Sequence, residues 1–364
     1  FAPCVLNLIL IIVMLALFPI IGSDEYERVH LLAWAVVLAG VLQMAIQLPA
    51  LKRFGCPFRF ASHWNDPRVR KMLLLMGPAA IGMAVTQFNV LIDRLLAMWI
   101  GDWAPAALFY SERMIYFPLG VIATAMGTVL LPTFSAHAAK NDHASMGSTI
   151  GHSLRHLLFI MTPASLGLLV LAPHILRTIF EWNGSFDAGS TLLSARALAF
   201  YAPGLVVFSA GKVFVPAFYA MQDTRTPVRI GIYVVVLNLI MNITFILTFP
   251  LYWKHAGMAL ATVLAEAAGM FSLASLLCKR IENIPWKETG RTFLRSLLGA
   301  LIMAGAAWLV AHHATPLAMA HMPAKLAQLT ALTAAIAVGG SAYLLLALVL
   351  RAPELREIKT TLRR

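Results

Sequence analysis

The sequence predicts an all-α, polytopic integral membrane protein with about ten transmembrane helices. Three observations carry that prediction. Of 364 residues, 60% are hydrophobic and 12% are charged, with a mean hydropathy of +0.79. A soluble domain carries about 25% charged residues, so this chain has too little charge to solvate its own surface. The apolar residues also fall in long runs, each reaching the roughly 20 residues needed to cross a hydrocarbon core. Finally, the basic residues sit in the gaps between those runs and alternate strongly from gap to gap.

Taken in order, the runs lie near 3–22, 30–49, 73–100, 105–133, 156–176, 192–220, 228–250, 257–278, 293–312 and 324–350. The first begins almost at once after Phe1, with no initiator Met and no basic leader region. A truncated sequence is therefore expected. The gap at 50–72 is the longest polar stretch and the best linker. Its segment Asp66-Pro67-Arg68-Val69-Arg70-Lys71 reads as a capped, basic helix start at a membrane surface. Several later runs are long enough to require tilt or extension beyond the bilayer. Pro78, Gly82, Pro118, Gly120 and Pro203 fall inside runs. Membrane helices tolerate such residues where neighbours re-satisfy the backbone, whereas in a water-soluble helix each interior proline costs about 3 kcal/mol.

Orientation follows from Lys and Arg. One set of gaps, with the tail, holds twenty of them, among them Lys52, Arg53, Lys140, Arg155, Arg225, Arg229, Lys279 and Arg280. The alternate gaps hold four: Arg28, Arg177, Lys254 and Lys325. The basic side and the C-terminus are expected in the cytoplasm. The formal charge of +12 would suggest nucleic acid in a soluble protein. Here anionic lipid headgroups are the simpler partner, and no nucleic acid is expected. Cys4, Cys56 and Cys278 are far apart, form no metal-ligand pattern, and read as structural thiols.

Four basic residues, Arg94, Arg113, Arg196 and Lys212, lie inside or at the ends of apolar runs with Asp93, Glu112 and Glu266. A charge at mid-bilayer costs at least about 2.5 kcal/mol, which makes these residues functional candidates. The alternatives are snorkelling or internal ion pairs that only fix packing. Asp93-Arg94 and Glu112-Arg113 give an acid–base pair on each of two consecutive helices, and neighbours in sequence cannot point in one direction. Arginine suits phosphate because its planar fork bonds bidentately, and Arg113 is expected to face a water-filled cavity between the third and fourth spans. Asn238 and Asn242 share one helix face. With Thr262 in the next span, and Asp93, they offer hard oxygen ligands for a monovalent cation. Interhelical hydrogen bonding is the alternative and is the favoured one.

Sites for chemistry are scarce. His152 and His156 are four apart but lack the Glu of an HExxH zinc site and any third ligand in sequence, so they read as a solvated face. There is no P-loop, GxSxG or GxGxxG motif. No enzyme activity, cofactor or metal is expected, apart from that cation.

Several segments are similar to the MurJ (MviN) family of lipid II flippases, within the multidrug/oligosaccharidyl-lipid/polysaccharide exporter superfamily. The most specific is Leu108-Phe109-Tyr110-Ser111-Glu112-Arg113-Met114, continuing into Phe117-Pro118-Leu119-Gly120-Val121 and Gly127-Thr128-Val129-Leu130-Leu131-Pro132-Thr133. It resembles the family's eighth helix. Lys212-Val213-Phe214-Val215-Pro216-Ala217-Phe218-Tyr219-Ala220, followed by Gln222-Asp223-Thr224-Arg225-Thr226-Pro227-Val228, resembles the tenth helix and the turn after it. His255-Ala256-Gly257-Met258-Ala259-Leu260-Ala261-Thr262 resembles the start of the twelfth.

The resemblance implies that the family's first four helices are missing. Residues 1–50 would finish the N-terminal lobe and 51–72 would be the cytoplasmic basic linker. Residues 73–280 would form a six-helix C-terminal lobe, and 281–364 two extra helices and a basic tail. It implies a diphosphate cavity lined by Arg113, the cavity arginine, with Glu112, Arg94 and Lys212. The implied substrate is the undecaprenyl-diphosphate-linked disaccharide–pentapeptide, moved between leaflets of the bacterial inner membrane, with cell-wall synthesis proteins as partners. Competing readings are a related exporter of another oligosaccharide-lipid or a drug, a membrane transferase, and an inactive truncated fragment. The transferase would want carboxylates clustered at one membrane face, and none cluster in the sequence.

Overall fold

The computed structural model describes residues 2–21, 24–53, 67–182, 184, 186–281, 283–350, 352–355 and 357. Every regular element among them is helical, as an apolar solvent demands, because a helix satisfies its own backbone hydrogen bonds. The chain divides into two compact units, Phe1–Gly77 and Pro78–Arg364.

In the first unit, α1 (Ala2–Ile12) passes through a π-turn, Val13–Leu17, into α2 (Phe18–Ile21), and α3 (Glu25–Arg53) packs along it. The buried contacts are small or branched: Val13, Ala35 and Ala39. Small residues let two membrane helices approach closely. The expected linker at 51–72 lies outside the described residues over 54–66. α4 (Pro67–Ile100) begins on Pro67, whose missing N–H is harmless in a first turn, and runs across the boundary of the units.

The second unit continues with α5 (Ala104–Pro118), a π-turn at Leu119–Thr124, α6 (Ala125–Ala139), α7 (His143–Phe180), α8 (Ala188–Tyr201) and α9 (Gly204–Ala220). It ends with α10 (Arg225–Thr248), α11 (Lys254–Cys278), α12 (Trp286–Met319) and α13 (Ala324–Val349). Among the described residues, seven helical stretches are long and apolar enough to cross a membrane, with α5 through α6 counted as one. The pair α8–α9 makes an eighth if taken as one span, and the apolar stretch Cys4–Ile20 and α4 fall at the other two predicted positions. Outward-facing side chains are apolar: Trp99, Leu247 and Val349 are 81%, 79% and 76% exposed. That surface suits lipid and not water.

The run read as a single span at 192–220 is broken. α8 and α9 meet at 46° across Ala202-Pro203. Pro203 cannot supply a helical N–H, so a carbonyl of the preceding turn loses its partner. At the break the Ala202 carbonyl accepts from both the Leu205 N–H, at 3.1 Å, and the buried Ser165 hydroxyl of α7, at 2.8 Å. Gly204 opens α9, and a Cβ there would meet Val263 Cγ2 of α11 at 2.6 Å. Similarly, Pro118 ends α5 at the π-turn, where helical bonding is locally rephased.

α12 and α13 pack on each other and on α7. The Tyr343 hydroxyl of α13 donates to the Phe159 carbonyl at 2.6 Å, and Gly339 lets α13 approach Met303 and Ala307. The turns after α6, α9 and α11 gather at one end of the unit. They surround a cavity of about 620 Å³ lined by Asn141, His143, Gln222 and Arg280, among others. At the opposite end Trp103 stacks near Tyr252, Lys325 lies over Trp182, and Arg196 lies over Trp253 while donating to the Tyr252 carbonyl. Arg196, expected among the intramembrane charges, is therefore a corner residue in an aromatic rim of the kind found at membrane interfaces.

Candidate substrate and cation sites

α4 presents Asp93 and Arg94 in succession. Consecutive helical residues point about 100° apart, and the two side chains indeed serve different neighbours. Arg94 reaches α5, where its Nη2 donates to Glu112 Oε2 at 2.7 Å and its Nη1 to the Pro105 carbonyl at 3.1 Å. The other Glu112 oxygen accepts from the Tyr201 hydroxyl of α8 at 3.2 Å. Glu112 thus ties three helices together and has both oxygens occupied. The divergence expected of sequence neighbours is observed, and the ion pair that forms joins Arg94 of α4 to Glu112 of α5.

Arg113 stands apart from that pair. It is exposed, and its guanidinium lies over the Phe109 ring at 4.6 Å, with Arg94 over the same ring at 5.9 Å. Arg94–Glu112 bridges α4 and α5, and Arg113, the next residue on α5, is exposed. Among the described residues Arg113 forms no ion pair. Lys212, on α9, is also exposed and lies within electrostatic range of Glu266 on α11. Its backbone is pressed against α6, where a Cβ on Gly127 would sit 3.2 Å from the Lys212 carbonyl. Tyr116 feels Arg94, Glu112, Arg113 and Glu266 together. The charged groups of α4, α5 and α11 therefore share one polar region.

The four oxygen donors read from the sequence converge. Asn242 Nδ2 donates to Asp93 Oδ1 at 2.7 Å and to Asn238 Oδ1 at 3.0 Å. Asn238 Nδ2 reaches Thr262 Oγ1 at 3.2 Å. In its alternate orientation the Asn238 amide would donate to Asp93 and accept from Thr262. Asn238 and Asn242 are buried, and among the described residues Asn242 Oδ1 has no hydrogen-bond partner. A buried acceptor without a donor is costly. A hard cation would satisfy it, and the donor set fits such an ion. Interhelical hydrogen bonding, the alternative, is also realised here, since these side chains link α4, α10 and α11.

Two other features went beyond the sequence. His152 and His156, read as a solvated face without a third ligand, meet Glu357 from the segment after α13. Asp223, in the turn before α10, accepts from the Thr226 hydroxyl, the Thr226 amide and Arg280. These bonds hold its carboxyl down at about 2. Tyr201 and Tyr116 were missed altogether, and Phe109 was read only as part of the Leu108–Met114 segment. A buried tyrosine hydroxyl needs a partner, and that was the signal available for Tyr201.

A largely apolar helical exterior, broken and π-turned spans, and charged groups carried on the helices define a polytopic helical membrane protein. The chain matches the family model described as lipid II flippase MurJ over residues 1–328. It is 31% identical to the probable lipid II flippase MurJ of Vibrio cholerae over 96% of this chain and 64% of that protein. It is 33% identical to the lipid II flippase MurJ of Burkholderia cenocepacia over 84% of this chain and 58% of that protein. A solved structure of a lipid II flippase MurJ in an inward closed conformation shares the fold, with a TM-score of 0.72 at 22% identity, over 96% of this chain and 66% of that one. The chain belongs to the MurJ lipid II flippase family. It spans 58% to 64% of the length of these two curated relatives.

Proposed function

We propose that this chain supplies the C-terminal lobe, with adjoining helices, of a flippase that moves undecaprenyl-diphosphate-linked disaccharide–pentapeptide from the cytoplasmic to the periplasmic leaflet. It acts without covalent catalysis, in the bacterial inner membrane, with the basic end and the C-terminus in the cytoplasm. The observation that carries the reading is Arg113: an exposed guanidinium with no ion-pair partner among the described residues, beside a Glu112 that is engaged by Arg94 and Tyr201. An unpaired arginine in such a place is costly unless it meets water or an anion. A diphosphate is an anion that a planar guanidinium binds bidentately. The Arg94–Glu112–Tyr201 linkage supports this by neutralising the neighbouring charges and holding α5 in register. Lys212 offers a second cation to the same substrate, and the linked undecaprenyl tail stays in lipid. Asp93, Asn238, Asn242 and Thr262 take up a monovalent cation, whose gradient biases alternating access.

The test uses the full-length protein. Arg113→Ala should abolish lipid II translocation and growth support while membrane insertion is kept. Arg113→Lys should recover only part, because ammonium loses the bidentate contact. Normal growth of Arg113→Ala at native expression would make Arg113 structural and remove the proposal's footing.

A further inference from the structure

At the basic end of the second unit, His152 and His156 lie one turn apart on α7, with ring centroids 4.4 Å apart. The segment after α13 brings a carboxylate to them in a prepared way. Ala352 is buried, and its N–H donates to the Ala347 carbonyl at 2.9 Å. Glu354 is 3% exposed and accepts from the Thr292 hydroxyl of α12 at 2.6 Å. Leu355 packs on the cluster that contains Phe159 and Tyr343. Glu357 follows three residues after Glu354. Its Oε2 lies 3.2 Å from His156 Nε2 and 3.4 Å from His152 Nε2. One ligand atom from each residue lies within 4.8 Å of the others, and among the described residues this is the single group of such side chains so disposed.

The tautomer of His156 follows from its other nitrogen. Nδ1 sits 3.0 Å from the His152 carbonyl oxygen. A carbonyl only accepts, so Nδ1 carries a proton and donates it. In the neutral ring Nε2 then offers a lone pair, and that lone pair faces a carboxylate oxygen. Two acceptors at hydrogen-bond distance need something positive between them: a second ring proton or a metal ion. Around a tetrahedral ion with bonds of about 2.0–2.1 Å, ligand atoms lie about 3.3 Å apart. Both His–Glu separations match that spacing. A metal-ligating histidine whose second nitrogen bonds a backbone carbonyl is the usual arrangement for fixing the ring.

We propose that His152, His156 and Glu357 bind a divalent transition ion of the zinc class, with water completing its coordination. Two imidazoles and one carboxylate suit zinc, cobalt, nickel or copper, whereas magnesium and calcium want oxygen alone. The ion fastens the segment after α13 to the start of α7, and so ties the last two helices to the first long helix they pack on. The positive charge of the nearby Arg155 is partly offset by its ion pair with Glu288 of α12, at 2.9 Å.

The experiment takes the full chain, untagged and metal-stripped, in lipid nanodiscs, and titrates it with Co2+ followed by Zn2+. The expected result is one Co2+ per chain, with visible absorption of a low-coordinate N/O site that Zn2+ abolishes. Glu357→Gln and His152→Ala should each weaken binding at least tenfold, while His312→Ala/His313→Ala should leave it unchanged. Zn2+ should also slow hydrogen exchange at residues 352–357 in the parent chain but not in Glu357→Gln. Co2+ binding that survives the His152→Ala/His156→Ala double substitution would overturn the proposal. So would protection of 352–357 that depends on pH alone and ignores Zn2+, since a bridging proton would then account for the cluster.

Discussion

The Arg94–Glu112 pair permits a quantitative test. Replacing Arg94 by Met leaves Glu112 with the Tyr201 hydroxyl as its hydrogen-bond partner, and replacing Glu112 by Gln leaves Arg94 without its ion-pair partner. Hydrogen bonds to charged groups contribute about 1.5–3 kcal/mol. The two side chains are 28% and 27% exposed, and interhelical bonds in membranes average lower, at about 0.6 kcal/mol. A coupling of about 2 kcal/mol is the resulting expectation, roughly a 30-fold change in equilibrium constant. Reversible unfolding in mixed micelles gives the stabilities of the parent, both single variants and Arg94→Met/Glu112→Gln. Each single variant should lose more than the pair is worth, because it strands a charge, and the double variant should recover part of the loss. Tyr201→Phe should cost about 1 kcal/mol in the parent and little once Glu112 is Gln. Additivity within about 0.5 kcal/mol, the value for independent sites, would refute the assignment of Glu112 as the junction of α4, α5 and α8.

Three further outcomes are expected. Sodium should raise the thermal stability of the parent chain by about 1.4 kcal/mol at ten times its dissociation constant, and Asp93→Asn should erase that gain; an equal gain in choline would dismiss the cation site. Gly269→Ala would place a Cβ 2.4 Å from Val234 Cγ2, costing about 1–3 kcal/mol. Adding Val234→Ala should restore stability, and a lack of rescue in the same unfolding assay would mean that the clash is not the cause. The turn at Asp223 should respond to acid in one direction: its carboxyl is held at about 2 against an ordinary 3.8. Its stabilisation is then complete above pH 4 and lost as pH falls toward 2. Hydrogen exchange at the Thr226 amide should show that slope, and Asp223→Asn should flatten it.

The membrane spans were legible because hydrocarbon thickness writes a long apolar run for every crossing. The hydrogen-bonded meeting of Asn238, Asn242 and Thr262 was legible as well: Asn238 and Asn242 one turn apart fix a face, and the neighbouring span has Thr262 to meet it. The Arg94–Glu112 pairing was not. Sequence geometry says that residues side by side diverge, but the register of one helix against the next depends on packing, and nothing local records it. Pro203 was read as a tolerated interior proline, yet its effect depends on Ser165, thirty-eight residues earlier, taking up the carbonyl at the bend. Glu357 could not be joined to His152 and His156 from the sequence, because some two hundred residues separate them and only the docking of α12 and α13 closes that distance.

The bend between α8 and α9 has a mechanical consequence. A proline break usually gives a helix a joint, but here the Ala202 carbonyl at the bend is also tied to Ser165 of α7. The bend therefore works as a bracket, turning the chain without letting it swing. α8 braces α5 while α9 braces α6 and the π-turn that separates α5 from α6. Two interrupted spans thus run side by side, spliced at adjoining levels, and each half answers to one half of its neighbour. A residue inserted into one splice would misalign every contact beyond it unless the other splice were lengthened too. Changes of length at Leu119–Thr124 and at Ala202-Pro203 should be tolerated only in matched pairs.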